Sequence, residues 1–200
     1  MSVRVYLAGP DVFLPRPDCR ATAQKLICAR HGLEGVSPKD HVPDEPAGWR
    51  ALGVARRIAL CNEAHIRRCA AVIANLTPFR GPSADPGTVY EIGFARALGR
   101  PVFAYATTTL DYAGRVRLQS GGNGAGDRDG EGMQIEEFGL FENLMVACAV
   151  EDSGGVLVCE DRDRWSDLTV FERCVQEAAR HLRGSSTSAT ARQNEDIVMP

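Results

Sequence analysis

Ala70-Ala71-Val72-Ile73-Ala74-Asn75-Leu76-Thr77-Pro78, then Asp85-Pro86-Gly87-Thr88-Val89-Tyr90-Glu91-Ile92-Gly93, then Pro101-Val102-Phe103-Ala104-Tyr105 decide how this chain folds. The first run is apolar from Ala70 to Leu76 and stops at Thr77-Pro78, as a buried strand does. Asp85 before Pro86 is a helix start: a carboxylate at the cap, then proline at the first helical position. That helix runs to Leu98, and Gly99 stops it. Pro101 to Tyr105 is again a strand. Strand, helix and strand in this order predict a parallel pair with the helix crossing over between them.

The rest of the chain extends the same alternation. Val3 to Ala8 reads as a short strand closed by Gly9-Pro10. Asp18 to Arg30 has helical spacing, with Ala21, Leu26 and Ile27 toward a core, and Gly32 ends it. Residues 37–47 are rich in charge and proline and read as a loop. Trp49 to Arg68 reads as one long helix with Leu52, Ile58, Ala59 and Ile66 on its apolar side. Gln119 to Gly132 is rich in Gly, Asp and Asn and is expected to be a mobile surface loop. Phe138 to Val150 is expected to be helical, Gly155 to Cys159 a late strand, and Asp167 to Leu182 a last amphipathic helix. There is no internal repeat.

The fold class that follows is α/β: a single-domain doubly wound parallel sheet, three-layer α/β/α, of the flavodoxin-like or Rossmann-like kind. Residues 1–183 form the expected domain, and 184–200, opening Gly-Ser-Ser-Thr-Ser, the expected disordered tail. Ligands of such sheets bind beyond the carboxyl ends of the strands. Gly9–Phe13, Leu76–Glu91 and the loop after Tyr105 are therefore expected to meet.

Composition narrows the partners. The chain has 200 residues, 44% of them hydrophobic, enough for one domain with a real core. Its net charge of −3 shows no basic excess, which argues against a nucleic-acid polymer as partner and leaves a small nucleoside open. The apolar runs are too short to span a bilayer. Met1 to Ala8 reads as a strand and not as a signal peptide, so a cytoplasmic location is expected. Seven cysteines, an odd number with no CxxC pair, give no disulfide framework or zinc site and read as reduced, small apolar residues. Four histidines form no HxxxH pattern, so no metal site is expected.

Glu91 stands out. Its neighbours at helical spacing are Thr88, Phe94, Gly87, Ala95 and Leu98, none of them basic. A surface glutamate usually has Lys or Arg there. A carboxylate on a small apolar face suits cleavage of a C–N glycosidic bond. That reaction builds positive charge on the sugar, which a carboxylate can stabilise before bonding to the anomeric carbon. The helix N-terminus would help keep Glu91 ionised, and Asp85 would serve the leaving base as proton donor or hydrogen-bond partner. Local spacing alone leaves a second reading open and favours it: Asp85 only caps the helix and Glu91 only packs.

Four blocks weigh against that second reading: Tyr6-Leu7-Ala8-Gly9-Pro10-Asp11-Val12-Phe13, Val72 to Gly81, Asp85 to Gly93, and Phe138-Gly139-Leu140-Phe141-Glu142-Asn143-Leu144-Met145. Together, in this order, they resemble the nucleoside 2-deoxyribosyltransferases over most of residues 3–150. The resemblance implies that Glu91 is the nucleophile and that Asp85 contacts the base and aids proton transfer. It implies that Phe13 stacks on the base, Tyr6 flanks the nucleophile and Gly9 lets ligand approach the backbone, with Asp11 and Gly87 also among the substrate-binding positions. Asn62 matches a polar position near the base. Asn143 and Met145 match a block that contacts the sugar 5′-hydroxyl from a neighbouring subunit, which implies a homo-oligomer. The chain departs from the family at Cys69-Ala70-Ala71, where an acidic residue is common, and in the glycine-rich stretch 121–132.

The implied reaction is a double displacement. Glu91 attacks the anomeric carbon of a 2′-deoxynucleoside, the free nucleobase leaves, and a second base attacks the deoxyribosyl-enzyme with retention. No metal or organic cofactor is needed. Two alternatives remain at this point. One is an N-glycoside hydrolase of deoxynucleosides or their 5′-monophosphates on the same scaffold. The other is a nucleotide-binding protein without catalysis.

Overall fold

The computed structural model of the chain describes residues 2–43, 45–120 and 126–195. Five strands form one parallel sheet in the order β2-β1-β3-β4-β5. They are β1 (Val3–Ala8), β2 (Leu33–Val36), β3 (Ala71–Asn75), β4 (Val102–Ala106) and β5 (Leu157–Cys159). Every residue of β3 and β4 is buried, because helices cover both faces. This is why the two runs read as continuous apolar stretches without alternation.

The helices are α1 (Pro17–Arg30), α2 (Val54–Arg68), α3 (Pro86–Ala97), α4 (Tyr112–Gln119), α5 (Leu144–Asp152) and α6 (Thr169–Glu195). Alternation along β1 separates two cores. Tyr6 and Ala8 join Ile66, Ile92 and Val146 on the face covered by α2, α3 and α5. Val5 and Leu7 join Ile27, Phe103 and Phe171 on the face covered by α1 and α6. The sheet order reverses direction between β1 and β3, which pair in parallel through Tyr6↔Val72 and Ala8↔Ala74. A crevice opens at such a switch point. No helix among the described residues is long and apolar enough to cross a membrane.

The structure corrects several expected elements. Residues 33–36 form the edge strand β2. Four residues with a central Gly35 give too short a pattern to announce a strand. The expected helix from Trp49 to Arg68 is broken: Ala47–Ala51 is a 3-10 turn, Leu52 is extended, and α2 starts after Gly53. Glycine is a poor interior helix residue, which explains the break. Helix α4 was not expected; Asp111 caps it by accepting the Gly114 N–H at 2.8 Å. Residues 138–143 are bent, irregular chain, with Gly139 at φ 67, and the helix begins only at Leu144. Leu26 and Ile58, expected to face the core, are 63% and 53% exposed. Their helices bury a neighbouring stripe, with Ile27 and Ile66 inside.

The backbone of α6 continues helical to Glu195, through most of the expected tail. Ala, Arg and Gln within 189–193 are adequate helix formers. Residues 196–200 lie outside the described residues. Of the expected 119–132 loop, 121–125 also lie outside them. Further along, Arg128 and Gln134 make an isolated antiparallel bridge.

Candidate active site

Glu91 sits in the second turn of α3, one wall of the crevice. The helix is placed by its cap: Asp85 Oδ2 accepts the Thr88 N–H at 3.0 Å and the Thr88 hydroxyl at 3.2 Å. Pro86 follows at the first helical position. Tyr6, inward on β1, donates its hydroxyl to Glu91 Oε1 at 2.7 Å, and Asn62 Nδ2 on α2 donates to the same oxygen at 3.2 Å. Three elements therefore converge on one carboxylate, which is only 8% exposed.

No cation forms an ion pair with Glu91 among the described residues. Burial pushes its carboxyl up to about 7. The Tyr6 hydrogen bond opposes that rise, the charge of Asp85 adds to it, and the Asn62 bond opposes it. This corrects the expected effect of the helix N-terminus. The dipole acts mainly on the first turn, and at the position of Glu91 desolvation wins. A carboxyl near 7 beside neutral donors can ionise at neutral pH while remaining reactive.

The partners of Glu91 are themselves positioned. Burial, with Glu91 next, pushes the Tyr6 phenol well above its ordinary value, so it stays a donor. His65 stacks on the Tyr6 ring at 6.3 Å and is fully buried, with Nε2 on the Asp40 carbonyl at 3.0 Å. Burial pulls the His65 imidazole down, toward its neutral form. The Asn62 amide must present nitrogen to the carboxylate, since its oxygen there would repel. Its Oδ1 is left buried with no partner, an acceptor ready for a ligand hydroxyl or N–H.

Other expected residues make contacts within the protein. Asp11 is buried against Arg20, which donates to Oδ1 at 2.8 Å, while Asn75 Nδ2 donates to Oδ2 at 2.8 Å. Its carboxylate thus ties the turn after β1 to α1 and β3. Gly9 is needed for the same junction: a Cβ there would stand 2.7 Å from Asn75 Cβ. The close approach is of protein to protein. Gly87 is exposed in the first turn of α3, and a Cβ there would meet Asp85 Oδ2 at 3.0 Å.

Phe13 is 57% exposed and stacks on Phe79 at 5.5 Å, with Trp165 edge-on to Phe79 at 6.2 Å. The expected meeting of the loops after β1 and β3 is therefore observed, and the segment after β5 joins them.

Asn143 caps α5. Its Oδ1 accepts the Met145 N–H at 3.1 Å and its Nδ2 donates to Glu136 at 2.8 Å. Met145 is 67% exposed, over a groove with Val89, Gly93 and Arg96 of α3. Neither residue hydrogen-bonds Glu91, Asp85 or Tyr6 within the described chain.

Sequence reasoning missed the node beneath both caps. Glu142 is fully buried; Oε1 accepts from Ser83 Oγ at 2.7 Å and the Asn143 N–H at 3.0 Å. Its Oε2 accepts from the Ala84 N–H at 3.1 Å and Arg115 at 3.0 Å. The segment leading into Asp85 and the segment leading into Asn143 hang on this one side chain. A charged residue inside the apolar Phe138–Met145 block was the only signal for it. Asn75 carried none beyond being polar in an apolar run, and His65 none at all amid polar and charged neighbours.

The chain is similar to known proteins in family and in fold. The model of the family described as nucleoside 2-deoxyribosyltransferase matches residues 5–145. An uncharacterised protein of Schizosaccharomyces pombe is 28% identical over 193 residues, 89% of each chain. A solved 2-desoxiribosyltransferase from Leishmania mexicana is 26% identical, with a TM-score of 0.57, over 87% of this chain and 97% of that one. A conserved protein from Enterococcus faecalis shares the fold at 19% identity and a TM-score of 0.56, over 90% of this chain and 99% of that one. The match runs from β1 into α5 and takes in Tyr6, Asn62, Asp85, Glu91 and Asn143 together, and on that extent the chain belongs to the nucleoside 2-deoxyribosyltransferase family.

Proposed function

We propose that this protein transfers 2-deoxyribose between nucleobases, with Glu91 as nucleophile. One observation carries the reading: a buried carboxylate without a cation, held by two neutral donors at the switch point of the sheet. A structural carboxylate at that depth would be expected to have a charged partner.

A Glu91 oxygen bonds to C1′ of a 2′-deoxynucleoside as the N-glycosidic bond breaks. The bonding pair leaves with the base nitrogen, which takes up a proton relayed by Asp85. A second nucleobase then attacks C1′, the Glu91–C1′ bond breaks, and the proton of the incoming nitrogen returns to Asp85. Two inversions give net retention. The reaction belongs with nucleoside salvage, and its substrates are small molecules.

Tyr6 and Asn62 set the carboxylate's direction, and the open Asn62 Oδ1 is available to the ligand. Phe13 offers a platform for the base. Asn143 and Met145 act on the site of a neighbouring copy in a homo-oligomer. In support, Asn143 engages the Met145 N–H and Glu136, Met145 is exposed, and neither hydrogen-bonds Glu91 within the described chain.

The test is incubation with deoxyinosine, with and without free adenine. Deoxyadenosine formed only when adenine is present supports the transferase. Hypoxanthine released at the same rate with or without adenine overturns it in favour of a hydrolase. Binding without turnover overturns both.

A further inference from the structure

We propose that Arg80 reads the edge of the nucleobase at this site and selects 6-oxopurines. The proposal rests on the reading of Phe13 as the base platform and so deepens the proposed function.

Arg80 is the one non-glycine residue among those described with a positive φ, at 57. That conformation is uncommon for a residue with a long side chain. The surrounding loop enforces it. The Phe79 N–H donates to the Ser83 carbonyl at 2.9 Å, and the Arg164 guanidinium donates to the Pro78 carbonyl at 2.6 Å. The turn directs the Arg80 side chain back onto the aromatic pair. Its guanidinium carbon lies 5.1 Å from the Phe13 ring centre and 4.6 Å from that of Phe79. The two rings are themselves stacked at 5.5 Å. A cation capping the outer face of either ring would be far from the other. Comparable distances to both put it at the flank of the stack, which leaves the outer face of Phe13 open to a base.

The donors of Arg80 are uncommitted. Arg20 and Arg115 spend theirs on Asp11 and Glu142, and Arg164 donates to a carbonyl. Arg80 forms no hydrogen bond or ion pair with any described residue; its ring contacts hold it in place. A guanidinium fixed beside an exposed aromatic platform, with its fork of N–H groups open, is a reader awaiting a planar acceptor edge.

Base chemistry then selects the ligand. In hypoxanthine and guanine, O6 and N7 are adjacent acceptors and take both arms of the fork. In adenine an amino group replaces O6, so one arm meets a donor. Uracil and thymine carry an N3–H between their carbonyls and lack the pair; cytosine has one, O2 and N3, but beside the glycosidic bond and not on the far edge where purine O6 and N7 lie. The expected discrimination is on the order of ten-fold or more in favour of 6-oxopurines.

The experiment compares kcat/KM for deoxyinosine and deoxyadenosine, with cytosine as common acceptor, in the wild type, Arg80→Ala and Arg80→Lys. Calorimetric binding of free hypoxanthine and adenine to each protein supplies a readout that does not need turnover. The wild type should favour deoxyinosine and hypoxanthine. Arg80→Ala should abolish the preference by losing the oxopurine, with little change for adenine. Arg80→Lys should restore it only in part, because one ammonium cannot span two acceptors. An unchanged hypoxanthine-to-adenine ratio in Arg80→Ala overturns the proposal. So does a wild type that favours adenine. A loss confined to 5′-monophosphates, with base preference intact, also overturns it and makes Arg80 a phosphate contact. If Glu91→Gln keeps full exchange, the catalytic reading fails, while the binding ratios still decide the role of Arg80.

Discussion

Glu91 and Glu142 are both glutamates taken out of water, and they are treated in opposite ways. Glu142 has a guanidinium at 3.0 Å and three further donors, so each of its oxygens accepts twice. Asp11, with Arg20 and Asn75, follows the same pattern. Glu91 has two neutral donors on a single oxygen and no cation. A buried charge that is fully paired holds segments together. One left short of partners keeps an oxygen and a proton affinity available for chemistry. The fold spends Arg115 and Arg20 on the first kind and withholds arginine from the second.

Removing the charge should cost chemistry at Glu91 and stability at Glu142. Glu91→Gln should cost base exchange on the order of 10⁴-fold or more, measured by chromatography of exchanged nucleosides, while urea unfolding shows a protein at least as stable as wild type. Retained exchange would falsify the assignment. Glu142→Ala should do the reverse first: it strands Arg115 in the interior and should cost about 3–5 kcal/mol in urea unfolding. The pair Arg115→Met with Glu142→Leu should recover most of that loss if the node is structural.

Proton linkage sharpens the contrast. Folded Glu91 holds its proton up to about 7, against an ordinary value of 4.5. Below the ordinary value both folded and unfolded chains carry the proton, and burial of Glu91 exacts no penalty. As pH rises through this window the native state binds more protons than the unfolded chain, so stability falls, and it levels off above the folded value. The full contribution is roughly 3 kcal/mol. The difference in unfolding free energy between wild type and Glu91→Gln, followed from pH 4 to 8, should show that slope; a flat difference contradicts the buried, unpaired state. Activity should run the other way, rising through about 7 as the nucleophile ionises.

Two smaller effects complete the series. Asp85→Ala removes the α3 cap and should cost about 1 kcal/mol of stability, apart from its effect on proton transfer. Tyr6→Phe removes a donor that favours the ionised form of Glu91. It should therefore move the acidic limb of the pH–rate profile upward; an unmoved limb means Tyr6 only packs.

Strong local signals were legible in the sequence. Asp85-Pro86 marked the start of α3, the apolar runs marked β3 and β4, and the uncharged neighbours of Glu91 announced its burial. The edge strand β2 and the short α4 were hidden because few residues carry each pattern. The break before α2 was hidden because apolar spacing ran on across Gly53. The partners of Asp11 and the packing around Gly9 were not legible, since Asn75 comes from a distant strand and the pairing with Arg20 depends on how α1 turns back on the loop after β1.

The alternation of strands and helices, the capped α3 and the absence of any cation along Glu91's own helix face are already present in the local sequence. These follow from neighbours a few residues apart, where spacing is geometry. That Tyr6 and Asn62 reach Glu91, that burial outweighs the helix dipole there, and that Arg115 goes to Glu142 while Arg80 lies beside the rings came from the packing of separate segments. Those outcomes depend on which segments the sheet order brings together, and desolvation and pairing act only once they have met.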